Sequence, residues 1–208
     1  ANTYVIGYPL SISKVFHSTG VNPATGFYTF ADVDGNGVLN INDRQTLLVL
    51  GRKFYGGVGN QFRAKGFQLD FFIEFVKQNA RGYMGTILSP PGARFNQPAD
   101  LINQYRWQKA NDDATLQKFT TNGTSYNNAR SSDLNVDDAS FIRLKTVSLS
   151  YNFLPSLIAK AGLSEISIFV QGQNLVTFTK YKGLDPEIPG NSQLPQLKMI
   201  TGGIKFKL

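Results

Sequence analysis

The 208-residue chain carries 21 Lys and Arg against 14 Asp and Glu, a formal net charge of +7, yet its basic residues are scattered and no basic run points to nucleic acid. Hydrophobic residues make up 41% and charged residues only 17%, below the roughly one quarter usual in soluble domains, so part of the apolar surface is expected to face something other than protein. With no cysteine and a single histidine, His17, disulfide frameworks, thiolate metal sites and histidine clusters are excluded.

The first residues, "ANTYVIGYPL", show no basic region followed by an apolar run, so no secretory leader is read there. No apolar stretch reaches the roughly 20 residues of a membrane-spanning helix. A Gly-, Asn- and Asp-rich segment follows over 12–60, holding "DVDGNGVLNIND" at 32–43. Helical periodicity is confined to 44–52, 99–110 and 155–162. Alternation with a period of two dominates instead, the mark of strands with two different faces. Five segments show it: 61–77, 80–89, 139–153, 165–178 and 196–208.

In the first of these, Phe67, Leu69, Phe71, Ile73 and Phe75 oppose Ala64, Gly66, Gln68, Asp70 and Glu74. Later, Val147, Leu149, Tyr151 and Phe153 oppose Ser148 and Ser150, and Ile166, Ile168 and Val170 oppose Gln171 and Gln173. Short connections at 78–82 and 154–164 contrast with long ones at 12–60, 88–138 and 180–196. Transmembrane β-barrels have this asymmetry, with aromatic girdles near the strand ends, here Phe67, Phe75, Tyr151, Phe153, Phe178 and Tyr181. The alternating runs also match the roughly 9–11 residues a tilted strand needs to cross a bilayer. The expected fold is an all-β, antiparallel transmembrane β-barrel. Five strands do not close one, so the chain is expected to be part of a larger assembly or a larger polypeptide. With long loops outside, the first and last segments run inward and the C-terminus is periplasmic. The alternative is a soluble or surface β-sandwich binding module whose apolar face is its core.

Several longer motifs occur in one order: "GYPLSISKVFHSTGVNPATGFYTFADVDGNGVLNINDRQ", "FYGGVGNQFRAKGFQLDFFIEF", "DDASFIRLKTVSLSYNF" and "VQGQNLVTFTKYKGLDPE". Together they resemble the C-terminal barrel portion of SusC/RagA-type TonB-dependent outer-membrane transporters, and the resemblance covers nearly the whole chain, 1–208. It implies active import of glycan or peptide nutrients across a bacterial outer membrane. The implied partners are a SusD-like surface lipoprotein, TonB acting through an N-terminal portion without counterpart here, the remaining barrel and plug, and outer-membrane lipid; nucleic acid is not among them. Gln68, Asp70, Glu74, Ser148, Ser150, Gln171 and Gln173 are expected to line the lumen. Departures are Ala64 where the family often has Tyr, the missing Pro-Arg after Trp107 and Asn111, and Leu208 in place of a final Phe.

Within 32–43 the residue types follow a calcium loop: side-chain oxygens from Asp32, Asp34 and Asn36, the bend at Gly37, the Val38 carbonyl, Asn40 through water and Asp43 at position twelve. The same composition also suits a metal-free loop in which Asp and Asn cap turns, so Ca2+ is a candidate cofactor and both readings stand. No nucleophile elbow, metal-binding histidine pair or phosphate loop is present, and no enzyme is expected. Asp70 and Glu74 read as lumen charges more readily than as a catalytic pair. Tyr105, Trp107 and Tyr126 are the loop aromatics put forward as substrate contacts. A passive porin differs from the importer by lacking a plug.

Overall fold

The computed structural model describes residues 4–82, 84, 89–93, 106–154, 156, 162–189 and 194–207. In chain order the elements are β1 (Ile12–Val15), β2 (Ser18–Val21), β3 (Tyr28–Phe30), β4 (Thr46–Val49), β5 (Gly51–Ala64), β6 (Phe67–Arg81), α1 (Thr124–Arg130), β7 (Val136–Asp138), β8 (Phe141–Asn152), β9 (Glu165–Thr179) and β10 (Met199–Lys207). They fall into two compact units. A loop unit comprises Ala1–Gly51, Asn79–Asp138 and Pro189–Ser192, and a sheet unit comprises Arg52–Gln78, Ala139–Ile188 and Gln193–Leu208.

The principal sheet has the order β10-β9-β8-β6-β5, with β7 pairing the far end of β6, and β10–β9, β9–β8, β8–β6 and β6–β7 pair antiparallel. Among the described residues the long strands of this sheet are β5, β6, β8, β9 and β10, and the first two do not follow the expected segments. The segment 61–77 is not one strand: β5 ends at Ala64, a two-residue turn follows, and β6 continues to Arg81, so 78–81 is strand rather than connection. Lys65 and Gly66 both have positive φ (49° and 88°), as a type I′ hairpin turn requires. The long loop expected over 12–60 therefore ends before Gly51. Of the segment 80–89, residues 80 and 81 belong to β6, whereas 83 and 85–88 lie outside the described residues.

Gly66 suits its place for a second reason. A Cβ there lies 2.7 Å from the carbonyl oxygen of Asn152, whose own amide donates to the Gly66 carbonyl at 2.8 Å. Two further glycines make room for large rings: Gly56 faces the Phe75 ring and Gly57 the Phe72 ring, where a Cβ meets ring carbons at 2.6 and 2.4 Å.

Cross-strand register assigns the faces. Phe67, Tyr151 and Ile168 align, as do Leu69, Leu149 and Val170, and Phe75, Ile142 and Phe178. Ile204 and Phe206 of β10 extend the row beside Ile168 and Ile166. On the opposite face Asp70, Ser148 and Gln171 align, as do Gln68 and Ser150. The apolar face is open: Leu149 is 47%, Ile168 43% and Phe178 68% exposed. A β-sandwich core encloses such residues, so the soluble-module alternative fails on this face. Apolar patches of this extent mark a binding or membrane surface. Phe67, Tyr151 and Phe153 pack ring against ring at the end near the Gly66 turn, with centroids 4.6 and 5.1 Å apart. Tyr181, expected in a girdle, is instead buried.

Register shifts at Phe72/Ile73 and at Leu144/Thr146 mark a bulge through the middle of the sheet. On β9 the extra residues are Asn174, at φ 52°, and Leu175; on β8 the extra residue is Lys145. The bulge explains why apolar positions are even at Ile142 and Leu144 but odd from Val147 onward. One extra residue exchanges the two faces.

In the loop unit β1 pairs β4 and β2 pairs β3. Thr46–Val49, within the stretch given helical periodicity, is strand β4. Four apolar or β-branched residues are too few to separate helix from strand by period, and pairing with β1 decides the matter. The periodic stretches 99–105 and 157–161 lie outside the described residues. α1 was not anticipated; at seven residues it is too short to show a period. The core holds Tyr28, Met84, Leu116, Tyr126 and Ala129, with Val21 and Phe30 packed against it. Among the described residues no helix is long and apolar enough to cross a membrane, which says nothing of a β-barrel.

Candidate functional site

The Asp-rich loop folds on itself. Asp32 accepts the amides of Gly35 (2.9 Å) and Gly37 (2.7 Å), both glycines at positive φ. Asp34 accepts from the Asn36 amide and carboxamide at 3.2 and 2.9 Å. Asp43 is wholly buried and accepts the amides of Val33 and Asn40 at 2.8 Å and that of Asp34 at 3.4 Å. The Asn40 amide, followed by those of Val33 and Asp34, outweighs the effect of burial and holds the Asp43 carboxyl below its ordinary value.

Of the six residues assigned to a calcium loop, three converge: one carboxylate oxygen each from Asp32, Asp34 and Asp43 lie within 4.8 Å of one another. The other three mainly order the chain. Asn36 accepts the Val38 amide at 2.7 Å. Asn40 donates to the Val38 carbonyl at 2.9 Å and caps the 3-10 turn Ile41–Asp43 in a reciprocal box with Asp43. The donor set is three hard carboxylates with the Val38 carbonyl in the same loop, which is oxygen chemistry of the kind Ca2+ takes. The residues therefore fit a hard divalent cation.

The loop aromatics fare differently. Tyr105 lies outside the described residues. Trp107 is half-buried, donates from its indole to the Pro23 carbonyl at 2.9 Å, and lies so close to Gly26 that a Cβ there falls 2.5 Å from the ring. Tyr126 is 1% exposed in the loop-unit core, where an outside ligand does not reach it. Trp107 and Tyr126 thus serve packing in this conformation.

A second polar site emerges on the sheet unit. Arg143 projects from β8 on the polar face and is almost wholly buried. It donates to Thr177 Oγ1 (2.8 Å), Asp185 Oδ1 (2.7 Å) and Glu187 Oε2 (2.7 Å). Lys145, displaced by the bulge, bonds Glu187 at 2.8 Å and lies 3.3 Å from Glu74. The segment "GLDPE" after β9 is thus fastened to the polar face of the sheet. Burial pushes the Asp185 carboxyl upward, but the Arg143 guanidinium and the amides of Glu187 and Gln196 leave it below its ordinary value. Sequence reading placed Glu74 on this face but missed Arg143, Lys145, Asp185 and Glu187. The readable hint was two basic residues inside a strand that is apolar or hydroxylic up to its final Asn152. Asp70 bonds Gln68 and Gln61 instead, so Asp70 and Glu74 have separate partners rather than a shared catalytic site.

A sheet with an open apolar face, a hydrogen-bonded polar face and long strands is antiparallel wall of a transmembrane β-barrel. Comparison with known proteins agrees. No family model matches the chain. TonB-dependent receptor P3 of Formosa agariphila is 34% identical over 163 residues, covering 76% of this chain and 15% of the relative. TonB-dependent receptor P39 of the same organism is 29% identical, over 74% of this chain and 15% of the relative. The chain thus spans about 15% of the length of these relatives. Among solved structures, the RagAB peptide importer in its closed-closed state superposes with a TM-score of 0.77 at 26% identity, over 98% of this chain and 23% of that one. The RagAB peptide transporter gives 0.76 at 24% identity, over 99% and 24%. The chain is related to TonB-dependent receptors and shares the barrel fold of a SusC/RagA-type transporter over nearly all its length. These relatives are named receptors and importers, not enzymes.

Proposed function

We propose that the chain forms the C-terminal barrel wall and outer loops of a TonB-dependent importer of glycan or peptide nutrients in a bacterial outer membrane. The carrying observation is the open apolar face of β6, β8, β9 and β10, opposed by a hydrogen-bonded polar face. Lipid covers the first and the lumen hydrates the second. The long connections lie outside the cell, and the Lys65–Gly66 turn and the C-terminus lie in the periplasm. A SusD-like surface lipoprotein works with the outer loops, and TonB acts through a plug carried by the rest of the receptor. The name RagAB peptide importer, borne by a structural neighbour, supports peptide as one cargo class.

The chain itself has no cysteine, so the orientation test needs a receptor in which any cysteine outside this chain has been replaced. Single cysteines at Asn36 and at Lys65 in the whole receptor are exposed to an impermeant maleimide on intact cells. Labelling is expected at the first and not at the second; the reverse pattern overturns the orientation. Import is tested by uptake of labelled oligosaccharide or peptide in cells with and without TonB. Equal uptake in both favours a passive pore.

We also propose Ca2+ as a structural ion of the 32–43 loop, held by Asp32, Asp34 and Asp43. At a hundredfold excess over Kd, binding to the folded state alone adds about 2.7 kcal/mol of protection to the loop. Hydrogen exchange across 32–43 with Ca2+ and then with chelator measures it. Identical protection in the two states removes the ion from the proposal.

A further inference from the structure

We infer that the groove bounded by β3, α1 and the Asp32–Leu39 loop binds a neutral oligosaccharide. Its volume is about 420 Å3, within the roughly 300–1000 Å3 of small-molecule sites. Its described lining residues all belong to the loop unit. Phe27, Phe30 and Leu39 supply apolar surface, and Asn122, Thr124 and Asn128 supply hydrogen-bonding groups.

Those polar groups are available. The side chains of Thr124 and Asn128 make no hydrogen bond among the described residues, and four-residue spacing sets them on one face of α1. Asn122 accepts the Thr124 amide at 3.0 Å through Oδ1, which leaves its Nδ2 donors to a ligand. Carboxamides and a hydroxyl offer donor and acceptor together. Vicinal sugar hydroxyls demand that combination, while the C–H face of a pyranose suits the apolar side chains.

Charge narrows the class. Among the described residues no Lys or Arg lines the groove; Lys118, whose ammonium lies 4.2 Å from the Phe27 ring, is outside the lining. Among the described lining residues the one carboxylate is Asp32, which accepts two amides of its own loop and belongs to the convergent acid cluster. A uronate, a sulfated sugar or a peptide carboxylate finds no basic side chain among the described lining residues to pair with. An extended peptide added to a strand edge needs a row of free main-chain groups. β3 has three residues, and the Tyr28 carbonyl already accepts the Ser125 hydroxyl at 3.3 Å. Strand addition is therefore short of partners, and the sugar is the better match.

The inference rests on the import reading for its purpose, whereas binding and import are measured apart. Full-length receptor in detergent is titrated by calorimetry with neutral glucan, mannan and xylan hexasaccharides, oligogalacturonate and an end-blocked heptapeptide. At least one neutral hexasaccharide is expected to bind, with affinity falling tenfold or more in Asn128→Ala and in Thr124→Lys. Asn127→Ala, outside the lining, is expected to bind like wild type. Thr124 is exposed, so its variant decides the matter if Asn128→Ala misfolds. Binding of only the peptide or the galacturonate, no binding at all, or neutral-sugar binding indifferent to both groove variants overturns the inference. Lost TonB-dependent uptake with groove binding intact counts against import and leaves the groove standing.

Discussion

The two units use their apolar residues in opposite directions. In the loop unit Tyr28, Leu116, Tyr126 and Ala129 turn inward and are nearly inaccessible. In the sheet unit Leu149, Ile168, Val176 and Phe178 turn outward and stay open, while the polar face carries the buried ion pairs. A protein core needs apolar groups brought together from many elements, whereas a barrel wall needs only a strand with period two and a nonpolar solvent on one side. Substitutions that punish one unit and spare the other therefore test the contrast.

The largest effect is expected from Arg143→Ala. It leaves Asp185 buried without its cation, and removing one partner of a buried pair costs about 3–5 kcal/mol. The receptor should lose its folded, heat-modifiable band in detergent at a lower temperature; an unchanged transition removes the fastening role of the "GLDPE" segment. Tyr126→Ala should be of similar size, about 3–5 kcal/mol by analogy with buried Phe or Trp truncation, but confined to the loop unit. Hydrogen exchange should rise across 124–130 and not across β8; uniform loss in both denies the unit its separate core.

Next comes a matched pair. Leu149→Arg places a charge on the lipid face and is expected to lower folding stability in bilayers by up to about 2–4 kcal/mol, depending on depth. Ser148→Arg, on the opposite face, is expected to be tolerated. Folding yields into vesicles measure both, and equal yields remove the membrane assignment of the faces.

The smallest effect concerns acid. The Asp43 carboxyl lies below its ordinary value of 3.8, so its contribution is complete above that value and lost as pH falls through the lower folded one. Exchange protection of 32–43 should hold at neutral and mildly acidic pH and drop only in stronger acid. Asp43→Asn should abolish that dependence.

Much of the sheet was readable because alternation is local. The apolar rows through Phe67, Leu149 and Ile168 were each visible within a dozen residues. The hairpin at Lys65–Gly66 was readable too, yet was missed. Apolar positions are even at Phe62 and Ala64 and odd from Phe67 on, a change of parity that a two-residue turn produces, and Phe62 and Phe71 stack with centroids 6.2 Å apart. The same change of parity was there to be read at Lys145, and the bulge was likewise missed. By contrast, the pairing of Arg143 with Asp185 spans 42 residues and has no local period to betray it.

By itself the sequence determined the strand pattern, the greasy and wet faces of the wall, and the acid-rich loop, because each is written in neighbouring residues. Only tertiary structure decided that Tyr126 and Trp107 pack within the loop unit, that Asn36, Val38 and Asn40 brace the loop in which three carboxylates converge, and that "GLDPE" is bolted to the sheet. Those outcomes depend on which irregular segments meet, and close packing between segments distant in sequence settles that, not the period of any one of them.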